Sequence, residues 1–195
     1  MNRFFTFTLL FALTNISYST PLTMHRQQAI VEHESGWNYA ESTEGSFSVL
    51  MPIPFNDFTV TDVDPKNGTI QTFGIGSKTM EGFKFSVTEI PTKETSDPSD
   101  FEKIAEKFGE SNSTVVSQET SEFKGMRCIT VELSKGNSGA YIRYILGPKS
   151  IFTIIIEYPD SGGMDLKPYR DIFFNSLEVK KPNQSSHTTP ASAPR

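Results

Sequence analysis

The sequence predicts an α+β domain in which helices pack against an antiparallel sheet. Apolar and polar residues alternate with period two over several segments. Two further segments, one near the middle and one near the end, carry apolar residues at helical spacing. Turn-forming residues separate the strand segments, and a strand-rich order broken by a mid-chain helix and closed by a second one points to a sheet with helices on it.

The first element is a leader. Arg3 precedes an apolar run over residues 4–13, and Ser17 and Ser19 flank Tyr18, which is the grammar of a cleavable signal peptide. The run falls short of the roughly 20 apolar residues that a bilayer-spanning helix needs. Residues 1–19 are therefore expected to be removed, leaving an exported protein, periplasmic or secreted, that begins at Thr20. Residues 20–36 show little hydrophobic periodicity and read as a flexible N-terminal segment, and residues 180–195, rich in Pro, Ser and Thr, read as a disordered tail. A single globular domain is expected over residues 37–179.

Strands follow in order. Phe47, Val49 and Met51 alternate with Ser46 and Ser48, and Phe83, Phe85 and Val87 alternate with Lys84, Ser86 and Thr88. Ile129, Val131 and Leu133 alternate with Cys128, Thr130 and Glu132. Residues 141–146 and 151–158 form an expected hairpin around Gly147-Pro148-Lys149-Ser150. Weaker strands are expected over residues 69–73 and 114–119. Gly74-Ile75-Gly76-Ser77-Lys78 lacks the spacing of a phosphate-binding loop and reads as a turn between strands.

The first helix is expected to start at Asp97 or Ser99 with Pro98 in its opening turn. It carries Phe101, Ile104, Ala105 and Phe108 on one stripe and stops at Gly109. The second follows Ser161-Gly162-Gly163, places Leu166, Tyr169, Ile172 and Phe173 on one face, and ends near Asn175. A short last strand is expected over residues 177–179.

Composition narrows the function. The chain has 195 residues and a formal net charge of −5. Removing Arg3 with the leader leaves 17 basic groups against 23 acidic ones, a balance of −6. Nucleic acid demands clustered Lys and Arg, and the sequence has no such cluster, so nucleic-acid binding is set aside. Cys128 is the single cysteine, which excludes an internal disulfide; it is either a buried thiol or half of an intermolecular bridge.

The segment Trp37-Asn38-Tyr39, then Glu44-Gly45-Ser46-Phe47-Ser48-Val49-Leu50-Met51-Pro52, resembles the opening of small exported bacterial proteins with the PsbP-like fold. That fold is named for an extrinsic photosystem subunit and is shared with a Ran-binding import factor. The mid-chain helix, the hairpin over residues 141–158 and the closing Tyr169-Arg170-Asp171-Ile172-Phe173-Phe174-Asn175-Ser176-Leu177-Glu178-Val179 fit the same layout. The usual Gly after the Met-Pro-like pair is Ile53 here. The resemblance implies an α/β/α sandwich and binding or assembly roles, with no family active-site motif to carry over.

Catalytic readings are weak on the residues themselves. His25, His33 and His187 all lie outside residues 37–179, so a histidine-based triad is not expected. His25, Glu32, His33 and Glu34 could ligate a metal, but solvated side chains explain them better. No metal or cofactor is expected. Glu89, Glu132 and Glu157 on strands could serve a histidine-free hydrolase through paired carboxylates, which is the alternative function. The favoured expectation is a non-catalytic binding or accessory module whose partner is an envelope or extracellular protein or a small ligand. With Phe85, Val131, Tyr144 and Ile156 facing the helices, the other face of the sheet would carry Thr88, Thr130, Glu132, Tyr141, Arg143 and Thr153. Tyr141, Arg143, Glu132, Thr130 and Thr153 are the candidate partner-binding residues, since exposed Tyr, Arg and hydroxyls suit recognition. The plainer reading is a face covered by the second helix, or solvated with Arg143 paired to Glu132 or Glu157.

Overall fold

The computed structural model describes residues 21–25, 31–52, 54–64, 68–92, 113–159 and 166–180. Their strands are β1 (Leu22–Met24), β2 (Val31–Glu32), β3 (Asn38–Glu41), β4 (Phe47–Met51), β5 (Phe55–Asp64), β6 (Gly68–Lys78), β7 (Lys84–Pro91), β8 (Thr114–Phe123), β9 (Met126–Lys135), β10 (Ser138–Leu146), β11 (Ser150–Tyr158) and β12 (Glu178–Val179). The one helix among the described residues, α1, spans Lys167–Asn175. The expected α+β sheet with helices packed on it is thereby corrected to a β-rich fold of two antiparallel sheets carrying a short helix. The first expected helix, with Phe101, Ile104, Ala105 and Phe108, lies outside the described residues.

The larger sheet has the order β1-β5-β6-β7-β11-β10-β9-β8, and the smaller one the order β12-β4-β3-β2. Every described pairing is antiparallel, and the consecutive strands from β5 to β7 and from β8 to β11 are linked as hairpins. Lys124 and Gly125 both have positive φ, 51° and 78°, so the β8–β9 turn has the backbone hand of a type I′ hairpin, which matches strand twist.

The smaller sheet and α1 bury one face of the larger sheet, its inner face. Phe47, Val49 and Met51 of β4 point inward as their alternation predicts, and meet Phe85 and Val87 of β7, Phe152, Ile154 and Ile156 of β11, Ile145 of β10 and Cys128 of β9. Cys128 is buried there, 3.1 Å from Ser121 Oγ. From the helix come Phe173 and Phe174, followed by Leu177. Trp37 stacks edge-on to Phe85 at 5.2 Å between ring centroids, and Phe85 is edge-on to Phe173 at 5.4 Å. Such aromatic pairs add to what area burial alone contributes. The opposite face of the larger sheet has its own buried cluster of Ile129, Val131, Leu133, Ala140, Ile142 and Tyr144.

Several expectations are corrected. The segment over residues 20–36, read as flexible, supplies β1 to the larger sheet and β2 to the smaller one, and His25 Nε2 lies 2.8 Å from Thr59 Oγ1. β5 has no counterpart among the expected strands. Its buried positions are Phe55, Asp57 and Thr59, and an inward-facing aspartate breaks the apolar alternation that marks a strand. Gly74 to Lys78 continue β6 instead of turning. A Cβ at Gly74 would meet the Phe58 ring at 2.5 Å, so the glycine makes room for a cross-strand aromatic. In α1 the buried side chains are Phe173 and Phe174, whereas Tyr169 and Ile172 face outward.

Two buried carboxylates hold the loop over residues 42–46 that joins β3 to β4. Asp57 accepts from the Thr43 amide at 2.8 Å and the Ser42 hydroxyl at 3.4 Å. Glu89 accepts from the Ser46 amide at 2.5 Å, the Ser46 hydroxyl at 2.7 Å and the Ser150 hydroxyl at 2.6 Å. A Cβ at Gly45 would come within 2.9 Å of Glu89 Oε2, which accounts for glycine at that point. Removing a buried acceptor strands its donors. Glu89→Ala is therefore expected to cost about 3 kcal/mol in chemical denaturation. Glu157→Ala, which breaks an exposed pair with Lys84, should cost under about 1 kcal/mol. Equal losses would contradict a structural role for Glu89.

Candidate recognition surface

Strand register decides which of the expected site residues meet. Tyr141 lies opposite Glu132 and Ile156, and Arg143 opposite Thr130 and Ile154. Since cross-strand partners share a face, Tyr141, Arg143, Thr130 and Glu132 stand on the same face as Ile154, Ile156 and Phe85, beside the helix. Thr153 pairs with Tyr144 and Thr88 and stands on the opposite face. Four of the five expected residues are thus gathered and the fifth is not. The expected division of the sheet, which put Phe85 with Val131 and Tyr144, is corrected. β11 is apolar over Ile154, Ile155 and Ile156, so neither face is marked by polarity there and the sequence cannot show how the parity of one strand matches that of the next.

Arg143 is a strut beneath the helix. Its guanidinium carbon lies 4.8 Å from the Phe174 ring centroid and 5.8 Å from that of Phe123. Its Nε donates to Thr130 Oγ1 at 3.0 Å, and Nη1 reaches Asn175 Oδ1 at 3.5 Å. Burial, first among the causes, lowers its pKa from the usual arginine range. Arg143 thus joins β9, β10 and the C-terminal turn of α1, and neither expected partner, Glu132 or Glu157, holds it.

Beyond that strut the surface is aromatic and charged. Tyr141 and Tyr158 rings lie 5.5 Å apart, tilted by 36°. Tyr158 lies across from Gly139, where any Cβ would collide with its ring. Arg170 of α1 stacks on Tyr141 at 5.3 Å and directs Nε and Nη2 to Asp171 Oδ1 at 3.0 and 2.9 Å. Arg170, Asp171, Asn175 and Tyr158 were missed in the sequence. The sequence signal available for the first is spacing, because Arg170 falls on the stripe of Leu166, Phe173 and Leu177 that faces the sheet.

The catalytic alternatives do not gain a shared site. Glu89 is enclosed by its serine donors, Glu157 is paired with Lys84 at 2.7 Å on the face away from Glu132, and Glu132 lies beside Tyr141. His25 is docked on Thr59, and His33 lies against Ser35 and Tyr39. No group of three or more potential metal ligands occurs among the described residues. No helix among them is long and apolar enough to cross a membrane.

Burial, then the Glu132 charge and the hydrogen bond to Glu132, push the Tyr141 phenol up to about 12, while Arg170 opposes the shift. Burial and Glu132 also raise Tyr158. A raised phenol stabilises the fold while it stays neutral. That contribution is complete below the ordinary value of 10.0 and is lost as pH rises from there towards about 12. Phenolate absorbance in an alkaline titration should therefore show a Tyr141 component that ionises late and moves down in Glu132→Gln. Ionisation of Tyr141 at the ordinary value, unchanged by that substitution, would contradict the placement of Glu132.

No family model and no curated protein matches the chain. Among solved structures it is similar to the solution structure of cyanobacterial PsbP (CyanoP) from Synechocystis sp. PCC 6803, with a TM-score of 0.50 over 72% of this chain and 91% of that one, at 12% identity. At that identity the likeness speaks for architecture alone. The chain has a PsbP-like fold, as its opening and closing segments led us to expect.

Proposed function

We propose that this protein is an exported, non-catalytic binding or accessory module that recognises its partner through the surface where β9, β10, β11 and α1 meet. The observation that carries this reading is the gathering of Tyr141, Tyr158, Glu132 and Arg170, all half-buried, at the margin of the inner core. Half-buried aromatics held rigidly by neighbours offer large contact area at little further entropic cost, which is what recognition surfaces use. The scattered carboxylates favour this reading over paired-carboxylate hydrolysis, because general acid and base must flank one bond. Export rests on the leader over residues 1–19.

Affinity capture from the native envelope and secreted fractions tests the proposal. Wild-type protein should retain a specific partner. Tyr141→Ala combined with Tyr158→Ala should weaken that capture by about 2 kcal/mol, roughly thirtyfold, with the fold retained by circular dichroism. Arg143 is left intact because its loss would loosen the helix. Undiminished capture by the folded double variant would remove this surface from consideration.

A further inference from the structure

Glu132 stands out on this surface because, among the described residues, its charge has no cationic partner. It is half-buried, stands directly cross-strand from Tyr141, and has Ser117 Oγ at 3.4 Å. Among the described residues no Lys or Arg pairs with it. Arg170 on this surface is already committed to Asp171 and to the Tyr141 ring. Arg143 is held by Thr130 and Asn175. Both phenols of the Tyr141–Tyr158 pair sense the Glu132 charge. A carboxylate framed by two aromatic rings is suited to a cation, which gains an ion pair from the carboxylate and a quadrupole attraction from the rings. Arg170 on Tyr141 is an internal instance of the second contact.

We infer that Glu132, Tyr141 and Tyr158 form an acceptor for a basic side chain, a Lys ammonium or Arg guanidinium presented by a positively charged segment of the partner protein. The proposal rests on the binding reading above and specifies its chemistry. The acidic balance of the chain, −5 overall, favours approach of a basic partner and opposes a second copy of itself.

The probe is a tetralysine peptide, with a tetra(acetyl-lysine) peptide of the same length as the uncharged control, followed by nuclear magnetic resonance of the tyrosine rings. Tetralysine should shift the Tyr141 and Tyr158 ring signals, weaken with rising salt, and bind Glu132→Gln about tenfold less tightly. The acetylated peptide should leave wild-type rings unshifted, an outcome that does not depend on the variant folding. Equal binding of the two peptides to wild type, ring signals unmoved by tetralysine, or undiminished affinity in folded Glu132→Gln would overturn the cation acceptor. If Glu132→Gln still captures the envelope partner that the Tyr141/Tyr158 double variant loses, the acceptor fails while the binding surface stands. If tetralysine binds as expected but the double variant keeps its envelope partner, the acceptor stands and the wider binding reading fails.

Discussion

Phe85 touches both Trp37, which leads into β3, and Phe173 of α1, and through that pair of edge-on contacts one side chain of the larger sheet meets both the smaller sheet and the helix. Neither could persist alone. β2 and β12 are two residues each and β3 is four, and a nine-residue helix lies below the length at which helices are stable in water. Their order derives from apolar area buried against the larger sheet. The helix end is further tied to β4 by Ser176, whose hydroxyl donates to the Phe173 carbonyl at 2.8 Å and accepts from the Leu50 amide at 3.0 Å. Position of the helix in turn places Arg170 on Tyr141 and Asn175 beside Arg143. The surface formed by Tyr141, Tyr158, Glu132 and Arg170 is thus an outgrowth of the core, and Arg170 is oriented there by aromatic packing.

Where one face of a strand is apolar and the other polar, the sequence could be read directly. Phe47, Val49 and Met51 are inward as expected, and the hairpin at Gly147-Pro148-Lys149-Ser150 joins β10 to β11. Legibility failed where polar groups are buried by partners far along the chain. Asp57 looks like a solvent residue until the Ser42 and Thr43 donors are brought to it, and so β5 was hidden. Gly74 and Gly76 look like a turn because the ring of Phe58, sixteen residues before Gly74, supplies the missing bulk. The short edge strands β1 and β2 have exposed side chains and hence no amphipathic signature; backbone pairing places them.

The site was half legible for the same reason. Alternation along β9 and β10 suffices to group Thr130 with Glu132 and Tyr141 with Arg143, because each pair lies two residues apart on one strand. Joining these pairs to the correct neighbours needs inter-strand register, which sits in hydrogen bonds and not in composition. Thr153 was misplaced by that missing information alone. Arg143 illustrates a second limit: an arginine on a sheet face looks available for binding, yet here two rings and two oxygens consume it in holding the helix.

The central claim is that the smaller sheet, α1 and the larger sheet form one cooperative unit interlocked at Phe85. Native-state hydrogen exchange resolves this by comparing Val49 in β4, Phe173 in α1 and Ile154 at the centre of β11. The account predicts that all three amides exchange with the same opening free energy, and that Phe173→Leu lowers all three together. Exchange of Val49 and Phe173 at an opening free energy several kcal/mol below that of Ile154, with Ile154 unmoved by the substitution, would show that the helix and smaller sheet open independently and would contradict the account.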